Sequence, residues 1–435
     1  MGGRERESLP LKGSGGNPGW VFSLRASSPT ELQVVEDVAL RGAAFEIHIA
    51  DSAVYVAEER SSSTSVRYLD ISAADGSLVE RGSVIVDGTP AGRFHMDAHQ
   101  GTFRIVTRDR ARDTSHLHVL DVTNPDRLER LASLDDVAPG EELFATRFVE
   151  NKAYIVTYQP EIIVNHITEV YPTDPLWVVS LEDPEQPVVL GRLEIPGWSD
   201  YLFPRGDVLL AVGRGDAGSQ VAASLFDVSD PGAPTELRRL QFGSASASSE
   251  ASSDFRAVRI IEDEIGAPPL VVVPYSDNVT TSEGCVPEHH LQLIELAFRD
   301  LGLRGNIDQR GRVLRTLPLG DQLVSVTSQT LASHDVSDRD APSLNAEVSI
   351  GDPSVDDECV LPPEAPQRIV TVNDRNDGRG GWWLACSVRQ ARASGGGSAA
   401  GWAILASLWA GLRRPLLRRR GRNIQGRRQV CRSKE

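Results

Sequence analysis

The 435-residue sequence lacks the short motifs of familiar enzymes. It contains no GxSxG nucleophile elbow, no HExxH zinc motif and no glycine-rich phosphate loop. These absences argue against an ordinary hydrolase or nucleotide-binding enzyme. They do not exclude an enzyme whose site is assembled from separated loops of a repeat fold.

Positive charge is scarce over most of the chain. The formal net charge is −16, yet residues 413–435 contain ten Lys or Arg residues and only one acid. The remaining residues therefore carry a formal charge of −25. Because phosphate backbones bind cationic surfaces, this balance excludes nucleic acid as the expected partner.

Helical periodicity and signal-like apolar runs are also rare. Before Ala399, apolar residues seldom recur at i, i+3 and i+4, and the first 20 residues lack the apolar core of a signal peptide. The 38 Gly and 26 Pro residues, with 40% hydrophobic residues, are typical of a globular chain with many short strands. An α or α/β fold is therefore disfavoured.

The sequence does contain a repeated phrase. In SLFDVSDPGAPTEL, residues 224–237, an apolar run is followed by a polar pivot, a Pro/Gly/Asp turn and a second alternating run, which predicts a β-hairpin. Six versions of the phrase have their pivots at Asp70, Asp121, Ser180, Asp227, Glu295 and Asp335. Their spacing scatters around the ~40–50 residues of a four-stranded propeller blade.

A second hairpin pattern precedes each phrase, as in ATRFVENKAYIVTYQ from Ala145. Each unit thus predicts four antiparallel strands that bury both faces only against neighbouring units. We predict an all-β fold, a β-propeller over residues 43–350 with six readable blades, or seven if strands precede residue 1. The alternative is a pair of β-sandwiches with coincidental turn phrases.

Four long stretches resemble a known family. They are RFHMDAHQGTFRIVT (93–107), LFATRFVENKAYIVTY (143–158), DPLWVVSLEDPEQPVVLGRLEIPGWSDYLFP (174–204) and VAASLFDVSDPGAPTEL (221–237). Over roughly residues 43–350 the chain resembles secreted proteins with a C-terminal β-propeller domain. The resemblance implies an extracytoplasmic propeller and brings no accepted catalytic residues. It is weakest at SSDFRAVRI, residues 252–260, where the family usually has a histidine.

The segments that flank the predicted propeller have different compositions. Residues 1–42 are interpreted as an incomplete N-terminal segment, because residues 34–41 look like the remnant of an earlier strand and no signal peptide is visible. We therefore expect further upstream sequence. Residues 351–398 are rich in Pro, Gly and Asp and predict a linker or stalk, with a candidate closing strand at QRIVTV.

Residues 399–412, AAGWAILASLWAGL, are uncharged and mostly apolar, and the basic tail of residues 413–435 follows them. A membrane-spanning helix needs about 20 apolar residues, but residues 415–417 extend the run if the arginines snorkel. The positive-inside rule then leaves the tail in the cytoplasm and the preceding chain outside. The alternative is a buried or amphipathic C-terminal helix.

A cysteine, Cys386, precedes this segment, with a Gly/Ser-rich spacer between them. The cysteine, the spacer, the apolar stretch and the arginine cluster together resemble the myxobacterial C-terminal protein-sorting domain. The resemblance implies that a sorting peptidase processes the precursor at Cys386 and that Cys386 is then the point of attachment. It also implies export to the cell surface or outer envelope, with at least transient anchoring in the membrane. The sequence departs from that family by running on to Glu435 with a further cysteine, Cys431.

Four of the pivots are aspartates: Asp70, Asp121, Asp227 and Asp335. We interpret them as strand-end acids that accept backbone donors and start turns. The other hypothesis is a calcium site, because carboxylates are hard-oxygen ligands, although no DxDxDG loop is present. No other cofactor or metal site is predicted.

Two histidine groups were considered as metal ligands. His95 and His99 flank Asp97 with the spacing of a helical metal pair, but FHMDAHQGTF reads as strand, turn and strand, so ordinary turn polarity is preferred. His289 and His290 follow Cys285 in TSEGCVPEHHLQ, which we interpret as a solvated loop or the neighbourhood of a disulfide.

Two of the four cysteines, Cys386 and Cys431, belong to the tail, which leaves Cys285 and Cys359. In an oxidising compartment these two are a candidate disulfide that pins the closing segment to the penultimate unit. The alternative is a pair of free thiols.

No catalytic residue is predicted. We predict an exported, surface-anchored propeller that acts as a non-enzymatic binding or scaffold module and presents an acidic face to a protein, a glycan or a cation. Trp177, Trp198 and Tyr201 are candidate binding aromatics, although each also fits the core. The alternatives are an extracellular lactonase-like hydrolase with a channel-mouth carboxylate or calcium site, and a structural envelope protein that binds nothing small.

Overall fold

The computed structural model describes residues 19–28, 31–41, 45–50, 52–159, 161–164, 167–170, 174–215, 219–262, 267–281, 284–351, 359, 367–376 and 382–391. The expected membrane segment, residues 399–412, and the basic tail lie outside these residues. In the part of the chain that the structure describes, no helix has the length and apolar character needed to cross a bilayer.

The first half of the fold contains a hairpin and three four-stranded antiparallel sheets. The hairpin is β1 (Trp20–Ser28) and β2 (Glu31–Ala39). Blade 1 is β3 (Phe45–Ala50), β4 (Ala53–Arg60), β5 (Ser63–Asp70) and β6 (Val79–Asp87). Blade 2 is β7 (Met96–His99), β8 (Thr102–Asp109), β9 (Thr114–Asp121) and β10 (Glu129–Val137). Blade 3 is β11 (Glu142–Val149), β12 (Lys152–Tyr158), β15 (Asp174–Ser180) and β16 (Val188–Ile195). An insertion between its second and third strands contains β13 (Glu161–Val164) and β14 (Ile167–Val170).

The second half contains three further four-stranded sheets and a final hairpin. Blade 4 is β17 (Trp198–Arg205), β18 (Val208–Arg214), β19 (Val221–Asp227) and β20 (Thr235–Phe242). Blade 5 is β21 (Arg259–Ile261), β22 (Leu270–Thr281), β23 (Gly284–Ala297) and β24 (Asp300–Gln309). Blade 6 is β25 (Val313–Leu319), β26 (Gln322–Thr327), β27 (Thr330–Asp335) and β28 (Ser343–Ser349). The final hairpin is β29 (Gln367–Asn376) and β30 (Trp382–Ala391).

These six blades confirm the prediction of six four-stranded antiparallel units. Each strand pairs with the next strand of its blade in chain order. Second strands such as KAYIVTY in β12 and VLLAVGR in β18 are almost fully buried, whereas the two middle strands of blade 6 alternate between buried and more exposed residues. The buried strands are mostly apolar because both of their faces are covered. The fourth strands, such as β16, are largely exposed and form the outer edge.

The apolar core lies between the blades. Five clusters of buried side chains each combine residues of two consecutive blades, and a sixth joins the β1–β2 hairpin to blade 1. In the cluster between blades 4 and 5, for example, Val212 and Leu225 pack with Val271 and Ile294. The faces of each blade are therefore buried by the blades that precede and follow it in the sequence.

The repeated turn also links the blades. The backbone N–H of Gly82, on the outer strand of blade 1, donates to the carbonyl of Pro125 in the turn of blade 2 at 2.7 Å. Gly305 of blade 5 donates in the same way to Arg339 of blade 6 at 2.8 Å. A Cβ atom on Gly82 would lie 2.8 Å from the carbonyl of Asp126, so the close approach requires glycine. The turn of each of these repeats thus docks on the preceding blade.

A separate sheet combines the insertion of blade 3 with the final hairpin. The strand order of this sheet is β14–β13–β29–β30, and β13 pairs in parallel with β29. Two strands therefore occur within residues 351–398, which were interpreted as a linker. The candidate closing strand QRIVTV begins β29 and pairs with β13 and β30. Cys386 lies on β30, opposite Val372.

We expect Gly82→Ala to lower the free energy of unfolding by roughly 1–3 kcal/mol, because the added methyl group overpacks the contact between blades 1 and 2. Urea denaturation measures this change. Gly302→Ala is the matched control, since Gly302 also lies on an outer strand and its added Cβ would have no neighbour closer than 4.0 Å. Equal stabilities of the two variants would contradict the docking role of Gly82.

Candidate functional site

A cavity of about 410 Å³ opens between the first strands of blades 1, 2 and 3. First strands contact one another at β3–β7, β11–β17 and β21–β25, and the 3-10 turn before β7 contacts β11, which makes the first strands the inner strands of the array. The cavity is lined by Ile47, His48, Ile49, Arg93, Phe94, Met96, Asp97, Arg147 and Phe148. This inner-strand pocket is the candidate functional site.

The pocket exists because blade 2 has a short inner strand. β7 has only four residues, and a 3-10 turn at residues 93–95 replaces the strand that precedes it. The sequence TPAGRFH supplies Pro90 and Gly92 just before the turn, and both residue types interrupt a strand. Arg93 and Phe94 consequently lie on the turn and border the pocket.

Three aromatic rings form a cluster beside the pocket: Phe94, Tyr201 and Phe255. Phe94 meets the other two edge-on at centroid distances of 4.8 and 4.7 Å, and Tyr201 stacks on Phe255 at 5.1 Å. The rings come from the turn of blade 2, from β17 and from a 3-10 turn at residues 255–257. This aromatic cluster is a rigid support for the charged groups next to it.

Two arginines lie on the aromatic cluster. The guanidinium carbon of Arg93 is 4.8 Å from the Phe94 centroid and 4.3 Å from that of Phe255. The guanidinium of Arg147 is 5.3 Å from the Phe94 centroid, and its Nη1 donates to the Tyr201 hydroxyl at 3.3 Å. Within the described ranges, neither guanidinium has a carboxylate within 4.0 Å. Desolvation lowers the pKa of Arg93 from its ordinary value.

The one acid in the lining is already paired. Arg104, whose side chain is 3% exposed, donates to the Asp97 carboxylate and to the carbonyl of Glu150, and lies 5.0 Å from the Phe148 centroid. Desolvation lowers the pKa of His48, so its imidazole is neutral at pH 7. Among the described residues, the pocket thus presents two arginines with no carboxylate within 4.0 Å and one carboxylate that is paired with Arg104.

The four pivot aspartates lie at strand ends of four different blades. In each, one carboxylate oxygen accepts the backbone N–H two residues later: Ser72 to Asp70, Thr123 to Asp121, Ser229 to Asp227 and Ser337 to Asp335. Hydrogen bonds from the Ser or Thr hydroxyl lower the pKa of Asp70, Asp121 and Asp335, and Arg299 lowers that of Asp227 to about 2. This is the geometry of turn-forming acids, and among the described residues no group of three or more His, Cys, Asp or Glu side chains is arranged to hold a metal.

The structure gives His95, His289 and His290 partners within the protein. His95 ends the 3-10 turn at residues 93–95, as turn polarity predicts, but it is buried, and its Nδ1 lies 2.8 Å from the Thr146 hydroxyl. The disulfide predicted as one alternative near His289 and His290 is present at Cys285. His289 and His290 lie on β23 and not in a loop. The Nδ1 of His289 lies 2.7 Å from the Ser276 hydroxyl, and that of His290 lies 2.9 Å from an oxygen of Asp308.

The other residues that the sequence suggested as disulfide or binding residues lie in different parts of the fold. Cys285 and Cys359 form a disulfide with Cα atoms 6.2 Å apart. Trp198 is buried, and Trp177 donates its indole N–H to the Thr157 hydroxyl at 2.9 Å. Of the three candidate aromatics, Tyr201 belongs to the aromatic cluster.

Arg93, Phe94, Arg147 and Phe255 are not among the site residues predicted from the sequence. A signal was available, because Arg-Phe pairs occur at residues 93–94, just before the inner strand β7, and at 147–148, on the inner strand β11, and the reversed pair occurs at 255–256. Phe255 lies in the stretch where the sequence departs from the family it resembles. Its ring lies 4.3 Å from the guanidinium carbon of Arg93.

Comparisons with known proteins place the fold. Residues 21–339 match the family described as "Beta propeller domain". An uncharacterized protein of Methanocaldococcus jannaschii is 37% identical over 158 residues, which are 35% of this chain and 23% of that protein. An uncharacterized protein of Archaeoglobus fulgidus is 33% identical over 162 residues, 37% of this chain and 23% of that protein. The chain therefore spans less than a quarter of the length of these curated relatives.

Two solved structures are similar at low identity. Sqt1 of Saccharomyces cerevisiae aligns over 87% of this chain and 90% of its own with 12% identity and a TM-score of 0.46. The periplasmic gluconolactonase PpgL of Pseudomonas aeruginosa aligns over 77% of this chain and 96% of its own with 10% identity and a TM-score of 0.42.

We expect His95 to make the fold sensitive to acid. Burial lowers the pKa of His95 to about 4, whereas an unfolded histidine titrates near 6.5. The unfolded chain therefore binds this proton first, so the stability is complete above pH 6.5 and is lost as the pH falls toward 4, by about 3 kcal/mol at most. His95→Gln should show a smaller drop in thermal midpoint between pH 7 and pH 4.5 than the wild type. Parallel pH profiles would contradict this role.

Proposed function

Since the chain belongs to the β-propeller domain family, we propose that it is an exported, surface-anchored binding module without catalytic function, and that its ligand binds in the inner-strand pocket. The observation that carries the proposal is the presence, beside the aromatic cluster and at a cavity of about 410 Å³, of two arginines that have no carboxylate within 4.0 Å among the residues the structure describes. Cavities that bind small ligands measure about 300–1,000 Å³ and combine apolar walls with a few convergent polar groups.

The chemistry of the lining supports binding over catalysis. A lactonase-like hydrolase with a channel-mouth carboxylate needs that carboxylate free to act as a base or to hold calcium. Arg104 forms an ion pair with Asp97, the one acid of the lining. Asp97 also acts on His48, but desolvation outweighs it and lowers the pKa of the imidazole. The arginines and aromatic rings instead form a preorganised contact surface, which lowers the entropy lost on binding.

Export is supported by the cysteines. Disulfides persist in oxidising compartments and are rare in the cytosol, so the pair Cys285–Cys359 favours a location outside the cytoplasm. Cys386 is the proposed attachment point, with residues 399–412 holding the precursor in the membrane.

A binding screen tests the proposed function. Neutral saccharides, sugar acids and small organic acids are titrated into the purified chain by calorimetry, and each ligand is recovered and analysed by mass spectrometry. We expect at least one to bind and to be recovered unchanged, and Phe94→Ala to weaken its affinity roughly tenfold, about 1.4 kcal/mol. Trp20→Ala, an exposed aromatic on β1, is the control. Conversion of a ligand, or no binding across the panel, would refute the proposal.

Thiol labelling tests the location. We expect Cys285 and Cys359 of protein isolated from intact cells to resist alkylation until a reductant is added. Mass spectrometry of the corresponding peptides gives the result. Rapid alkylation of both cysteines before reduction would indicate a cytoplasmic protein.

A further inference from the structure

The charge in the inner-strand pocket suggests what it binds. We propose that the pocket binds an oxyanion, the carboxylate or phosphate group of a small organic ligand, between Arg93 and Arg147; this inference rests on the proposed binding function. It differs from the acidic binding face expected from the composition, because the side chains that converge at the cavity are cationic.

The two guanidinium groups border the same ring. Arg93 and Arg147 lie 4.8 and 5.3 Å from the centroid of Phe94, and both line the cavity. A guanidinium presents a planar set of N–H donors that matches carboxylate and phosphate oxygens. Packing against Phe94, Phe255 and Tyr201 restrains both side chains, so less conformational entropy is lost when an anion binds.

These arginines contrast with the arginines of the neighbouring blades. Arg104 is held by Asp97, Arg108 by Asp113, and Arg81 by Asp126. In a chain with 61 acids and 45 bases, carboxylates are in excess, yet Arg93 and Arg147 have none within 4.0 Å in the described part of the chain. An anion bound from solution supplies the negative charge that the protein does not place beside Arg93 and Arg147.

The nearby acids do not form ion pairs with the two arginines in the described part of the chain. Glu46 and Asp254 both attract the Arg93 charge, but desolvation outweighs them and lowers its pKa. Asp97 is paired with Arg104, and Asp254 is held by Arg256 at 2.9 Å and by Arg315 at 2.7 Å. The net negative charge of the whole chain acts over longer distances and is screened beyond about 8 Å at physiological ionic strength. Contacts inside the pocket therefore determine the preferred charge of the ligand, and a volume of about 410 Å³ suits a single sugar acid or sugar phosphate.

Two pairs of probes test the inference, each differing in charge but closely matched in shape. Galacturonate is compared with galactose, and glucose 6-phosphate with glucose, by isothermal titration calorimetry of the full chain at pH 7. We expect at least one acid to bind and its neutral partner not to bind, with affinity that decreases as salt increases. Whichever acid binds more tightly identifies the carboxylate or the phosphate as the recognised group.

Variants locate the site. Arg93→Gln and Arg147→Gln should each weaken binding of the acid at least tenfold, whereas Arg147→Lys, which keeps the charge, should weaken it less. Arg127→Gln is the matched control, because Arg127 is an exposed arginine in the outer turn of blade 2. Thermal midpoints of all four variants establish that they fold.

The outcomes separate this inference from the proposed function. If neutral sugars bind as tightly as the acids, or if the Gln variants keep full affinity, the oxyanion site is refuted while the binding function stands. If none of these four probes binds and only neutral ligands of the screen do, the oxyanion site is likewise refuted. If nothing in either experiment binds, both proposals fail.

Discussion

The structure depends on one constraint: the apolar side chains on the middle strands of a blade are buried only when an adjacent blade covers them. The buried clusters that join consecutive blades meet this requirement, because burial of apolar side chains is the main favourable term in folding. The outer strands are consequently free to be polar. The inner strands of consecutive blades are brought into contact, and the candidate site lies where three of them meet.

The repeated phrase serves this same constraint. Its pivot acids cap their own turns, and its turn residues accept hydrogen bonds from the outer strand of the preceding blade. The turn at Pro125 meets Gly82, where a side chain would collide with the backbone. Copies of the phrase are therefore structural joints, and their carboxylates lie in separate blades where they do not form a common ligand set.

The candidate site is a local departure from that regular pattern. Blade 2 replaces part of its inner strand with a turn, and this substitution leaves room for Arg93 and Phe94 beside the cavity. The aromatic rings and the buried Arg104 then fix which charges are exposed to a ligand and which are neutralised inside the protein. A chain with an acidic composition thus presents cations at its inner-strand pocket, because local pairing rather than net charge decides the character of a cavity.

The sequence by itself determined the all-β class, the six blades and the turn role of the pivot acids, because strand alternation and Asx-turn chemistry are local properties of a few adjacent residues. It also singled out Cys285 and Cys359, since only two cysteines remained once the tail was set aside. Tertiary structure alone decided the site: Phe94, Arg147, Tyr201 and Phe255 are far apart in the chain and meet only when blades 2, 3 and 4 and the 3-10 turn before blade 5 pack together. It also placed His289 on a strand and His95 in the core, because burial depends on which neighbouring sheet covers a residue, and no local pattern records that.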